Sequence, residues 1–486
     1  MVKAKSYNRG YVILIATIAA FGGLLFGFDT GVISGALLLI KNDPELLING
    51  MPQLPERTQE WIVSITVLGA AVGALSSGRI TDILGRKKVL IIIAFIFAIG
   101  SVGLAAANSV AMLIIWRLII GIAIGVASYT VPLYISELSP THVRGALVSI
   151  NQLAITVGIF ASYLVDLGFA NVEEGWRWMF LVGLVPSLIL AIGMFFLPDT
   201  PRWLMANKGE AKARKILDKV GETNKEEVLE QIKTNIKKEN KAEGSLSILK
   251  AKWVKPALII GIGIMFLQQF IGINTIIYYS PTIFEMAGFG AESANAVYEA
   301  ILPALPIGFV NVLFTIVAIY LVDRWGRKPL LYLGLIGMII ALVALGVGFT
   351  FHNSLGEALK WISFVSMIIY IPFFAISLGP IAWLLISEVY PTKIRGLGMS
   401  LATMVNWGAN FLIANTFLSL GKVTTGEMPN PAGEGMLVNP GGAFFIYAVI
   451  GILGLFFVYS YIPETKGHSL EKIEEHFLSG KHPRDL

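Results

Sequence analysis

Phe21-Gly-Gly-Leu-Leu-Phe-Gly-Phe-Asp-Thr-Gly-Val-Ile-Ser-Gly35 lies inside an apolar run from about Tyr11 to Ile40. At about 1.5 Å rise per residue, that run is long enough to cross a bilayer. A charged carboxylate near its middle, Asp29, costs about 3 kcal/mol or more unless it faces a protein interior or a water-filled cavity. Glycines at 22, 23, 27, 31 and 35 recur at roughly helical spacing, and small residues let neighbouring membrane helices approach closely. A structural carboxylate bonded to a neighbouring helix would satisfy the same sterics. Intramembrane acids mark ion or proton pathways more often, so Asp29 is expected to carry a proton.

Composition agrees with the membrane setting. Of 486 residues, 55% are hydrophobic and only 14% charged, with mean hydropathy +0.72, whereas soluble domains carry nearer a quarter charged residues. No cysteine is present, which excludes disulfides and thiolate metal sites. The five histidines (142, 352, 468, 476 and 482) fall in predicted loops or the tail, so no buried metal or proton-shuttle cluster is expected. No cofactor is expected either. The net charge of +5 reads as topology rather than nucleic-acid binding.

After the first span, apolar stretches follow at about 61–83, 89–107, 110–134, 146–168 and 177–197, then at 255–284, 294–322, 329–350, 359–387, 397–420 and 441–462. Twelve spans result. The loops after spans 2, 4, 8 and 10 hold Arg86-Lys87-Lys88, Arg144, Arg324 with Arg327-Lys328, and Lys393 with Arg395, whereas the loops on the other side are poor in basic residues. The positive-inside rule then places both termini, including Lys3, Lys5 and Arg9, in the cytoplasm. Between residues 201 and 254, Ala213, Ile216, Leu217 and Val220, then Val228, Leu229, Ile232 and Ile236, recur at helical spacing among charges, predicting short amphipathic cytoplasmic helices. The chain divides into residues 1–200, a linker at 201–254, residues 255–463, and a cytoplasmic tail at 464–486.

The chain also repeats. Asp82-Ile-Leu-Gly-Arg-Lys-Lys88 recurs as Asp323-Arg-Trp-Gly-Arg-Lys-Pro329, and Glu137-Leu-Ser-Pro-Thr-His-Val-Arg-Gly145 as Glu388-Val-Tyr-Pro-Thr-Lys-Ile-Arg-Gly396. Pro198-Asp-Thr-Pro-Arg-Trp203 has a counterpart in Pro463-Glu-Thr-Lys-Gly467. A duplicated six-span unit with substrate between the halves is an alternating-access plan. In order and in register, these motifs resemble the sugar-porter family of the major facilitator superfamily, over essentially the whole chain. One departure is Asp199, where the family usually has Glu.

The resemblance implies an all-α membrane protein: twelve helices in two six-helix bundles, with short cytoplasmic helices. It implies that Arg86, Glu137, Arg144 and Asp199 form one charge network and that Arg324, Arg327, Glu388, Arg395 and Glu464 form its twin. In the family such networks latch the halves in the outward-facing state. Exposed pairs of this kind contribute about 0–1 kcal/mol each, which suits contacts that must break; turn and cap chemistry is the competing account.

Span 4 carries a second intramembrane charge, Arg117, which needs a partner. Asp29 is expected to be the only acid near mid-depth in the first half, and the second half offers none. Family proton symporters resemble this chain in placing Asp and Arg at these positions, whereas facilitators commonly have Asn at the first. Paired with Arg117, Asp29 stays ionised; desolvated and released from it, the carboxyl takes a proton. A facilitative uniporter, with the pair merely structural, is the alternative, and so is an inositol or polyol symporter.

Uncharged polar and aromatic groups gather inside spans of the second half. Gln268, Gln269 and Asn274 lie in span 7, where Gly272 and Pro281 predict a discontinuous helix. Asn311, Trp383, Asn406, Trp407 and Asn410 follow, and Gln152 joins them from span 5. Amides read hydroxyls while indole faces pack on the C–H face of a pyranose, and the family places sugar contacts at matching positions. A lone amide in a span is more often helix–helix glue; a cluster of this size points to a monosaccharide site, for a hexose or pentose. No nucleophile–base set or phosphate loop suggests an enzyme. The expected partners are a monosaccharide, a proton and the lipid bilayer of an inner or cell membrane; a monomer suffices.

Overall fold

The computed structural model describes residues 8–47, 51–140, 142–222, 224–239, 253–391, 394–433, 435–468, 470–479 and 481–486. Among them, twelve helices are long and apolar enough to cross a membrane: Arg9–Ile40, Glu56–Leu84, Arg86–Ala105, Val110–Leu138, Arg144–Phe169 and Gly175–Phe196, then Lys255–Met286, Ala296–Val322, Arg327–Thr350, Ala358–Val389, Arg395–Ala414 and Gly441–Tyr461. These are spans 1 to 12. Lys3, Lys5, Lys393 and the linker from 240 to 252 lie outside the described residues.

Close packing follows the glycines. A Cβ on Gly27 would lie 1.9 Å from the Ile155 carbonyl oxygen of span 5, and one on Gly121 would lie 2.1 Å from that of Thr66 in span 2. Only glycine permits such backbone contact, and the result is two tightly packed helix pairs, 1 with 5 and 2 with 4. The halves meet through spans 5 and 8, 2 and 11, and 1 and 7.

Span 7 breaks once, not twice. Its first helix ends at Phe270 and a second runs Ile273–Met286, with Gly272 at φ 94° between them. Pro281 stays inside the second helix. Lacking an N–H, it leaves the Ile277 carbonyl without its intrahelical donor, and the Tyr163 hydroxyl of span 5 donates to that oxygen at 3.1 Å. A proline read as a break is therefore a docking point for the other half. Spans 6 and 10 also break, between Leu181 and Leu184 and between Ala375 and Leu378. These breaks carried no expectation from sequence.

The linker helices Glu210–Val220 and Lys225–Glu239 bury Ala213, Leu217 and Leu229 against one another and against Leu204, as their periodicity predicts. The tail forms a further helix, Leu470–Leu478, with Ile473 and Phe477 buried. One departure from an all-helical chain is a small antiparallel hairpin, Glu427–Pro429 with Met436–Val438.

Candidate functional site

Span 4 carries Arg117 into the first bundle, where it is 1% exposed. Because spans 2 and 4 touch backbone to backbone, its guanidinium reaches carbonyls of span 2: Nε donates to Ile62 at 2.5 Å and Nη2 to Val63 at 3.4 Å. The third nitrogen, Nη1, faces the Asp29 carboxylate at 3.8 Å, too far for a direct hydrogen bond. It makes no other hydrogen bond. Asp29 and Arg117 are thus an ion pair with slack, in which the two span 2 carbonyls hold Arg117 independently of Asp29.

Asp29, Arg117, Phe26 and Thr30 face Tyr278 and Trp407 of the second half across a cavity. The Phe26 and Trp407 rings are 5.8 Å apart. The cavity has room for a water molecule, not for the pyranose that the sequence leads one to expect. Neither Phe26 nor Tyr278 was among the site residues expected from the sequence, although Tyr278 closely follows the amides of span 7. Phe26 lies three residues before Asp29, on the same helix face, which was a usable signal. A second cavity adjoins Asp29 inside the first bundle, bounded by Val32, Phe97, Ser101, Phe180 and Gly183.

Behind Trp407 the amides form a closed network. Asn406 Nδ2 donates to Gln268 Oε1 at 2.7 Å and to the Met265 carbonyl at 3.1 Å, while Gln269 Nε2 donates to Asn406 Oδ1 at 3.1 Å. Asn274 donates to Gln269 Oε1, and Gln268 Nε2 reaches the Leu378 carbonyl at the break of span 10 at 2.9 Å. Asn410 Nδ2 is 3.4 Å from the Tyr278 hydroxyl, and its own oxygen is buried without a partner. Asn311 is buried on span 8 outside this network. Gln152 and Trp383 stand apart: both are exposed, Trp383 by 41%, on the stretches of spans 5 and 10 that lead to the face bearing Arg86 and Arg327.

On that basic face, the repeated motifs take equivalent positions. Arg86 bonds Glu137 at 3.1 Å and Asp82 at 3.1 Å; Arg327 bonds Glu388 at 2.9 Å. Glu464 accepts the backbone N–H groups of Arg327 and Lys328, at 3.0 and 2.9 Å, at the start of span 9. Asp199 accepts that of Lys87 at 3.4 Å at the start of span 3. Burial pushes the Asp199 carboxyl above its ordinary value against these donors. Arg144 and Arg324 do not join the networks: they sit exposed at helix ends. Arg395 donates to the Tyr390 carbonyl at 3.1 Å. The ion pairs described here join residues within one half.

Pairs between halves lie on the opposite face, where sequence analysis looked for none. Lys41, just past the end of span 1, meets Glu285 of span 7 at 2.5 Å. Glu60, fully buried, accepts the Ser419 N–H and hydroxyl at 2.7 and 2.6 Å, Asn415 donates to Ser64 at 2.6 Å, and Lys422 bonds Glu56 at 2.9 Å. The structure is therefore clasped at the opposite face. Replacing Lys41 by Met should loosen it: losing one largely buried pair is expected to raise labelling of a cysteine introduced at Ser64 about fivefold or more. The native chain has no cysteine to interfere. Unchanged labelling would mean that the pair does not hold the halves together.

Two further buried acids of the first half, Glu60 and Asp166, lie toward the clasped ends of their spans and not near mid-depth. Asp166 of span 5 is fully buried and accepts the Gly35 N–H at 3.2 Å. Its signal was present, a carboxylate within Tyr163-Leu-Val-Asp-Leu-Gly168.

Residues 15–477 match the family model described as sugar (and other) transporter. The chain is 41% identical to a glucose transporter of Staphylococcus epidermidis, over 95% of this chain and 96% of that one. It is 38% identical to a galactose–proton symporter of Escherichia coli, over 99% and 97%. The solved proton:xylose symporter XylE of E. coli, bound to 6-bromo-6-deoxy-D-glucose, superposes with a TM-score of 0.76 at 32% identity, covering 97% of this chain and 100% of that one. Twelve spans in two bundles, the paired basic-face motifs and these likenesses converge: the chain is a multi-pass membrane protein of the sugar-transporter family, in the major facilitator superfamily.

Proposed function

We propose that this protein carries a monosaccharide, a hexose or pentose, into the cell together with a proton by alternating access. The observation that carries this reading is the slack ion pair of Asp29 and Arg117 at 3.8 Å, on the wall of a cavity completed by Tyr278 and Trp407 of the other half. A proton on Asp29 removes its attraction to Arg117, which remains held by the Ile62 and Val63 carbonyls. Closure around a sugar can then proceed with a neutral carboxyl, the remaining charge of Arg117 being met by those two carbonyls. Relatives named for proton symport of galactose and xylose support the same chemistry. Sugar hydroxyls would exchange with the amide–amide bonds of Gln268, Gln269, Asn274 and Asn406. Asn410, Trp407, Asn311, Gln152 and Trp383 line the remaining approach.

The two bundles, residues 1–200 and 255–463, are the moving bodies, tethered by the linker at 201–254. The basic face is cytoplasmic by the positive-inside rule, so both termini are cytoplasmic, the membrane is the inner or cell membrane, and the clasped face looks outward. The pairs Arg86–Glu137 and Arg327–Glu388 then belong to a gate at the cytoplasmic side, and the opposite-face pairs to an outer one. Lipid surrounds the apolar exterior, and one chain contains both halves, so a monomer suffices.

The test uses de-energised vesicles containing the protein, with external pH recorded as D-glucose, D-galactose, D-xylose, L-arabinose or inositol is added. An alkaline shift with one sugar establishes symport and identifies the substrate. Sugar equilibration with no pH change sinks the symport reading and leaves a uniporter.

A further inference from the structure

Asp29 stands between two cavities. The first opens between the halves and belongs to the sugar site. The second lies wholly within the first bundle, bounded by spans 1, 3, 4 and 6, and has room for about one water molecule. Its walls are apolar except for two groups, the Asp29 carboxyl and the Ser101 hydroxyl of span 3. Span 6 is broken beside it: the helix stops at Leu181, restarts at Leu184, and turns Gly183 to the cavity wall. A Cβ on Gly183 would come within 2.8 Å of Ser101 Oγ, so the break and the glycine together leave the serine hydroxyl its space. Pro186 sets the break by leaving the Val182 carbonyl without its helical donor, and the glycine and serine that the break brings together converge on a carboxylate.

Building on the symport reading, we propose that Ser101 is a positioning residue for proton transfer. With a water held between it and Asp29, it hydrates the carboxylate from a side the sugar never enters. The slack in the ion pair makes such a partner necessary. At 3.8 Å from Arg117 Nη1, the ionised carboxylate lacks a direct charge-assisted hydrogen bond. A water donating to it, itself donating to or accepting from Ser101, stabilises the charged form and gives the leaving proton a first acceptor. The charged and titratable groups facing Asp29 are Arg117 from span 4 and Tyr278 from span 7. Span 2 brings Thr66, span 3 Ser101 and span 6 Phe180, while the acid of span 5, Asp166, lies against Gly35 farther along span 1. Ser101 is thus the polar side chain of the inner cavity able to hold that water beside Asp29.

The experiment compares wild type, Ser101→Ala, Ser101→Val and Ser101→Thr in proteoliposomes, using whichever of D-glucose, D-galactose or D-xylose the wild type carries. Two rates are measured: sugar-driven proton uptake, which needs Asp29 to release its proton each cycle, and sugar–sugar exchange, which the loaded, protonated carrier performs without releasing it. Removing the hydroxyl, or filling the cavity with Val, should slow proton-coupled uptake about tenfold or more. It should also move the pH profile about one unit toward alkaline values. Exchange should stay within about twofold, and Ser101→Thr, which keeps the hydroxyl, should retain coupled uptake. Unchanged coupled uptake and an unchanged pH profile in both Ala and Val variants overturn the proposal while leaving symport standing. Parallel loss of exchange and uptake in the Ala and Val variants also overturns it, since that marks a packing role. A wild type that moves sugar with no proton fails one level earlier, at the symport reading itself.

Discussion

Asp29→Asn is expected to abolish sugar accumulation while sparing sugar exchange. A membrane potential supplies about 2.3 kcal/mol per charge per 100 mV, equivalent to roughly fifty-fold accumulation of a sugar moved with one proton. Without a titratable group the accumulation ratio should fall to near one, and the sugar-induced alkaline shift should vanish. The variant should fold. Asn is nearly isosteric with Asp, and Arg117 keeps its bonds to the Ile62 and Val63 carbonyls, so no buried cation is stranded without partners. The measurement is accumulation against an imposed potential, alongside exchange at zero potential. Accumulation persisting in the variant would remove Asp29 from the coupling mechanism.

Asn406→Ala is the second large effect. Asn406 bonds Gln268, Gln269 and the Met265 carbonyl, so its loss unties the centre of the amide network. Each buried polar group left unpaired costs about 1–3 kcal/mol. Sugar affinity, read as the exchange KM, is therefore expected to weaken about ten- to hundredfold, with the proton-to-sugar ratio unchanged. Asn311→Ala, outside the network, should change affinity less. An Asn406→Ala variant of wild-type KM would show that the amides hold helices together and do not meet sugar.

The two predictions draw on residues of different legibility. Twelve spans, the linker helices and the duplicated plan could be read because each is written locally, in hydropathy, in helical periodicity or in contiguous motifs. Asp29 and Arg117 were legible because a charge in an apolar span is conspicuous. The amides could be picked out individually, but not their mutual bonds, which depend on how spans 7, 10 and 11 break and cross. Gln152 and Trp383 illustrate the limit, since residue type predicted a site and burial sets them apart from the closed cluster. Arg144, Arg324 and Arg395 were assigned to charge networks of the outward-facing state by motif position alone; with the opposite face clasped, Arg144 and Arg324 sit exposed and Arg395 bonds the Tyr390 carbonyl. The outer clasp was invisible for a different reason. Lys41 and Glu285, or Glu60 and Ser419, are brought together only by the meeting of the two halves, and nothing local in either segment names its partner.

The phenol of Tyr163 on the Ile277 carbonyl differs in kind from the ionic contacts of the clasp. A neutral hydrogen bond buried in protein is indifferent to ionic strength, whereas added salt screens solvent-exposed ion pairs and shortens the Debye length from about 8 Å at physiological salt. The halves are thus joined by two fastenings, one tuned by the medium and one immune to it. In brine the exposed Lys422–Glu56 pair slackens while the largely buried Lys41–Glu285 pair and the interior seam hold, so a carrier built this way keeps its inner contact in surroundings that would loosen a purely surface electrostatic gate.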